Sequence, residues 1–137
     1  KPGKPLTFAT FPPNGMRQRS LLYFGLPGNP VSALVSFWRF VQPALRKLSG
    51  LAPPWGPTVV EAITRQELRG DTRRETYLWG KLCLVNGRYE FSAATGSHSS
   101  ANLINLAGTN GLAILPPEQT RLQLGQAVRV LQVSSLL

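Results

Sequence analysis

The sequence predicts an α+β chain, a strand-strand-helix piece followed by a small β-barrel-like domain. Three observations carry this. Two short apolar runs, Leu6–Phe11 and Leu21–Leu26, precede one long apolar segment, Val31–Leu48. The stretch Gly50-Leu51-Ala52-Pro53-Pro54-Trp55-Gly56-Pro57 is the densest in proline and glycine and marks a boundary. Beyond it the apolar period shifts from helical toward two, the period of half-buried strands.

The first two runs are read as strands joined by the polar, Pro-rich loop Pro12–Ser20. After the second strand comes Pro27-Gly28-Asn29-Pro30. Asn29 suits the N-cap, where its side-chain oxygen can take a backbone N–H of the first turn. Pro30 suits the first helical position, where a missing N–H costs nothing. Arg46, Lys47 and Gly50 supply the matching C-terminal signals. Leu34, Val35, Phe37, Trp38, Val41, Leu45 and Leu48 make the helix apolar on more than one face, so burial is expected. Pro43 should kink it, because its ring clashes with the Arg39 carbonyl.

In the second half Val59–Ile63, Tyr77–Val85, Arg88–Phe91, Leu112–Leu115 and Ala127–Val133 are strand candidates, with Asn86-Gly87 placed for a tight hairpin turn. Between them, Ser97 to Leu106 reads as a short helix with a hydroxyl-rich entry.

Composition narrows the chemistry. The 137 residues hold 15 Lys or Arg against 6 Asp or Glu, a net charge of +9, with 42% apolar residues. That suffices for a core, and no apolar run approaches the roughly 20 residues that cross a bilayer. No membrane association and a cytoplasmic location are the expectation, and the single Cys83 fits a reducing compartment. Asp71 is the only aspartate and His98 the only histidine, an inventory from which a two-carboxylate, zinc-hydrolase or Ser-His-Asp site is hard to build. An anion site is easy to build, and charge alone does not say for which anion.

Four places could hold one. Lys1-Pro2-Gly3-Lys4-Pro5 brings two ammonium groups round a Pro-Gly turn, and reads either as an anion clamp or as a solvated basic turn. Pro27-Gly28-Asn29-Pro30-Val31-Ser32 runs from a strand into a capped helix, which can aim backbone N–H groups and the Ser32 hydroxyl at one spot or simply connect two elements. Arg73-Arg74 can bind an oxyanion bidentately or face solvent. Gly96, Ser97, Ser99 and Ser100 form a hydroxyl and N–H cluster that could equally be helix capping. His98 reads as a polar surface residue.

Together these segments resemble the C-terminal part of the molybdopterin molybdenumtransferase family, which includes the gephyrin E domain. The resemblance rests on Lys1-Pro2-Gly3-Lys4-Pro5, Leu26-Pro27-Gly28-Asn29-Pro30-Val31-Ser32-Ala33, Pro43-Ala44-Leu45-Arg46-Lys47, Asn110-Gly111-Leu112 and Leu115-Pro116-Pro117. It implies that 1–52 is the C-terminal segment of a molybdopterin-binding α/β domain, 53–56 a linker and 57–137 a β-barrel-like domain. It further implies insertion of molybdate into adenylylated molybdopterin, with Mg2+ held by residues upstream, in a homodimer whose sites combine the cofactor domain of one subunit with the β domain of the other. On that basis Lys1, Lys4, Pro5, Pro27, Gly28, Asn29, Pro30 and Ser32 would bind the pterin substrate. Lys1, Lys4, Pro5, Ser32, Arg74 and Ser100 would bind molybdate, Arg74 by standing three residues before Tyr77 and Ser100 by following Thr95-Gly96. The chain departs from the family pattern at Trp79, where a second arginine often stands, so that one basic contact is either missing or supplied by Arg73, and at Ala101 in place of a second serine. The acidic motifs that the family uses for magnesium and the adenylate are absent, which implies a fragment inactive alone. A small basic β-barrel binding nucleic acid through Arg65, Arg69, Arg73, Arg74 and Arg88 is the competing reading, although no aromatic stacking motif accompanies it.

Overall fold

The computed structural model describes residues 6–94 and 106–133. The chain divides into two compact units, 1–56 and 57–137.

In the first unit β1 (Thr7–Phe11) and β2 (Leu21–Gly25) form an antiparallel pair, with Thr7 opposite Gly25 and Phe11 opposite Leu21. The loop between them is pinned by Arg17, whose guanidinium donates to the Pro12 carbonyl at 2.8 Å and the Arg19 carbonyl at 3.0 Å. The expected single helix is a composite. α1 (Pro30–Ser36) leads into a π-helical turn, Phe37–Val41, and then α2 (Gln42–Leu48). Pro43 explains the wide turn: it cannot donate toward Arg39, and one residue earlier the Gln42 N–H reaches back five positions to the Phe37 carbonyl. The expected burial of this helix is not found. No residue of α1, the π turn or α2 is buried. Its apolar faces have no opposing layer within this short unit, and a helix buries a face only against another element. Among the described residues no helix is long and apolar enough to cross a membrane.

The second unit is a closed barrel of β3 (Val59–Thr64), β5 (Thr76–Val85), β6 (Arg88–Ala93), β7 (Gly111–Leu115) and β9 (Ala127–Gln132), in the order β3-β6-β5-β7-β9. All neighbours are antiparallel except β3 and β6, which run parallel over Ile63 and Thr64. Asn86 (φ 49°) and Gly87 (φ 77°) make the expected tight turn between β5 and β6, both residues being left-handed as a type I′ hairpin demands. Two strands escaped the sequence reading because each has only two residues: β4 (Leu68–Arg69) and β8 (Arg121–Leu122), paired antiparallel. Alternation along the strands sends Leu78, Leu82, Phe91, Ala113, Leu115, Val128 and Val130 inward to one core. Gly80 faces Gly111 across β5 and β7, and a Cβ on Gly80 would collide with the Phe91 ring and the Ser92 carbonyl. The glycines make room for the largest core side chain.

Candidate functional site

At the β2–α1 junction the sequence folds as its chemistry dictates. Asn29 has extended backbone angles (φ −74°, ψ 123°), its Oδ1 accepts the Ser32 N–H at 3.1 Å and its carbonyl accepts the Ala33 N–H at 2.9 Å. Pro30 opens the helix. Capping therefore uses part of what an anion would need: Ser32 gives its N–H to Asn29, and Pro30 has none. The Ser32 hydroxyl and the dipole remain. Gly28 is exposed, with open space around the position of a Cβ, so nothing in this chain's own packing demands a glycine there. Pro27 and Ser32 are half-buried.

Arg74 lies in a structured turn ahead of β5. Asp71 Oδ1 accepts the Arg73 N–H at 2.7 Å, and the Asp71 N–H donates to Thr76 Oγ1 at 2.8 Å, closing the turn on itself. Both Arg73 and Arg74 are exposed, and among the described residues neither has a carboxylate within salt-bridge reach. Glu75 instead accepts a hydrogen bond from the Tyr77 hydroxyl. Trp79, where the resemblance leads to the expectation of a second arginine, follows two residues on. Its indole Nε1 is buried without a hydrogen-bond partner among the described residues. It carries no charge and cannot replace a guanidinium.

Lys1, Lys4, Pro5 and Ser100, and the expected short helix apart from Leu106, lie outside the described residues. The structure thus describes Pro27 to Ser32 in one unit and Arg74 in the other.

Two features went unread in the sequence. Asn110 completes the β5 edge: its Oδ1 accepts the Leu82 N–H at 2.7 Å and its Nδ2 donates to the Leu82 carbonyl at 2.9 Å. A carboxamide thus replaces a strand neighbour, a role that spacing alone cannot reveal. Glu67 accepts from Arg69 Nε at 2.8 Å and Arg121 Nε at 2.9 Å, bridging two arginines that face each other across β4 and β8. These bonds, Arg69 first and then Arg121, hold its carboxyl below the usual glutamate range. The signal was a Glu67–Arg69 spacing of two, but its partner Arg121 is remote in sequence. Beside this cluster lies a small cleft lined by Gln66, Glu67, Leu68, Arg69, Leu78 and Ala93. Among the described residues no three His, Cys, Asp or Glu side chains gather where they could hold a metal ion.

Residues 61–133 match the family model described as MoeA C-terminal region (domain IV). The chain is 56% identical over 133 residues to the molybdopterin molybdenumtransferase of Nostoc sp., a match covering 97% of this chain and 30% of that protein. It is 32% identical over 157 residues to gephyrin of Dictyostelium discoideum, covering 99% of this chain and 21% of that one. Among solved structures, a molybdopterin biosynthesis MoeA protein from Pyrococcus horikoshii superimposes with a TM-score of 0.68 at 20% identity, over 99% of this chain and 30% of that chain. The chain spans less than a third of these relatives' length. With its closed barrel and its matched stretch inside that barrel unit, the chain belongs to the MoeA family and carries that family's C-terminal region.

Proposed function

We propose that this chain is the C-terminal part of a molybdopterin molybdenumtransferase, carrying part of an oxyanion pocket for the insertion of molybdate into adenylylated molybdopterin. The observation that carries the reading is the 56% identity to the Nostoc protein of that name over 97% of this chain. In this reading 1–52 completes a molybdopterin-binding α/β domain, 53–56 is a linker and 57–137 is the barrel domain.

The residues have definite tasks. Molybdate carries two negative charges at neutral pH, and Arg74 offers it charge-assisted donors from an exposed, preformed turn. Its planar fork fits two oxygens of one oxyanion, and the ordered turn reduces the freedom lost on binding. Ser100 adds a hydroxyl from the same unit as Arg74, and in the homodimer Lys1 and Lys4, with Pro5, add point charges from the other subunit. Ser32 presents its hydroxyl at the positive end of α1, and Pro27, Gly28, Asn29 and Pro30 shape the backbone against which the pterin rests. The open space at Gly28 lets a ligand approach the main chain closely. Mg2+ and the adenylate would be held by residues of the rest of the enzyme, which acts as a cytoplasmic homodimer.

The nucleic-acid reading loses ground on a specific observation. Arg65 is paired with Glu90 at 3.4 Å and Arg69 with Glu67 at 2.8 Å, so two of its five arginines are partly neutralised within the barrel.

Complementation tests the proposal. In a strain lacking molybdenumtransferase, the Nostoc enzyme with its matching stretch exchanged for this chain should restore molybdoenzyme activity. A stable chimera that fails to do so contradicts the assignment.

A further inference from the structure

Two sets among the arginines of the barrel unit differ in how nearby carboxylates are held. Arg65, Arg69 and Arg121 each sit within 4 Å of a glutamate. Arg73 and Arg74 have two acids in their own turn, Asp71 and Glu75, yet among the described residues neither acid pairs with a guanidinium within 4 Å. Asp71 Oδ1 accepts the backbone N–H of Arg73, and Glu75 Oε1 accepts the hydroxyl proton of Tyr77. Both acids are occupied by neutral donors.

This arrangement has a cost that an ordinary surface turn would avoid. Glu75 is next to Arg74 in sequence, and with its carboxylate free it would be the nearest counter-ion for that guanidinium. An internal carboxylate competes directly with any incoming oxyanion for the same N–H donors, because both present paired oxygens to one planar fork. Tyr77 lies in β5 opposite Ile114, so its backbone is held by the barrel pairing, and its hydroxyl reaches back two residues to Glu75.

We propose that Tyr77 is a positioning residue that holds the Glu75 carboxylate away from Arg74 and so keeps the guanidinium open to an oxyanion substrate. The inference rests on the reading of Arg74 as a molybdate contact and adds to it a specific restraint. Asp71 plays the parallel part for Arg73. Its carboxylate is spent on capping the turn, which leaves a second exposed guanidinium beside the first. The substrate class follows from the chemistry: a small, doubly charged oxyanion gains most from arginines with no internal counter-ion.

The test uses the active chimera and reads the molybdate concentration at half-saturation. Tyr77→Phe keeps the ring and removes the hydroxyl, and should raise that concentration about two- to fivefold, the range set by one exposed ion pair. Adding Glu75→Gln should return it to the wild-type value, and the gain from Glu75→Gln should be larger in Tyr77→Phe than in the parent. In an Arg74→Ala background Tyr77→Phe should change nothing further. If Arg74→Ala raises half-saturation but Tyr77→Phe does not, or if Glu75→Gln helps equally with and without the hydroxyl, the positioning role is overturned while the Arg74 reading stands. If Arg74→Ala itself is without effect, the site reading fails and the inference falls with it.

Discussion

The barrel unit and the strand-strand-helix unit are both rich in apolar side chains, yet every buried apolar residue of the described chain, from Ala62 to Leu131, belongs to the barrel unit, Leu68 and Leu122 of the β4–β8 pair included. In the first unit Phe8, Tyr23, Phe40 and Leu45 are each at least half exposed, at 56%, 51%, 52% and 51%. What differs is closure. Five strands joined edge to edge enclose their inward faces completely, whereas a two-stranded pair and one composite helix have no second layer to bury against. Apolar pattern states which face a residue wants to hide, and only topology decides whether it is hidden.

Core truncation should break the symmetry between the units most strongly. Phe91 is fully buried and wedged over Gly80, so Phe91→Ala should destabilise the barrel by about 3–5 kcal/mol. Phe40→Ala, the same deletion on an exposed helical surface, should shift stability of this chain by less than about 0.5 kcal/mol. Urea unfolding of the two variants measures both, and similar losses would mean that the first unit has a core of its own.

A smaller effect is expected at the open edge of β5. Asn110→Ala leaves the Leu82 N–H and carbonyl without their partner and should cost about 1–3 kcal/mol. Faster hydrogen exchange at Leu82 than at Leu78 would locate the loss, since Leu78 lies within the β5–β7 pairing.

The smallest concerns Glu67. Its folded carboxyl is held below the usual glutamate range by Arg69 and Arg121, so its contribution is complete above the unfolded chain's value and is lost as pH falls through the lowered folded one. The group is exposed, so the change should be slight. Stability of the parent should decline more steeply on acidification than that of Glu67→Gln, which has no proton to bind there. Parallel slopes in urea midpoints between pH 6 and 3 would remove the arginine clasp from the account.

The strands were legible where period and turn chemistry agreed, as at Asn86-Gly87, and where an apolar run was bounded on both sides, as at Leu112–Leu115. β4 and β8 were not, because two residues give no period and their pairing joins Leu68 to Leu122 across a long separation. The helix was legible in position but not in form. Pro43 announced a distortion without saying that a π turn would absorb it, and apolarity on several faces suggested a burial that this unit alone does not supply. The Asn29 cap was readable because it is local. The restraint of Glu75 by Tyr77 was not, since a spacing of two says nothing about which donor a carboxylate chooses.

The most direct measurement is the molybdate dependence of Arg74→Ala in the complementing chimera. Loss of one charge-assisted contact, about 1.5–3 kcal/mol, should raise the half-saturating molybdate concentration roughly ten- to a hundredfold while the barrel unfolds at the parent's urea midpoint. Half-saturation equal to the parent's would contradict the placement of Arg74 in the oxyanion site.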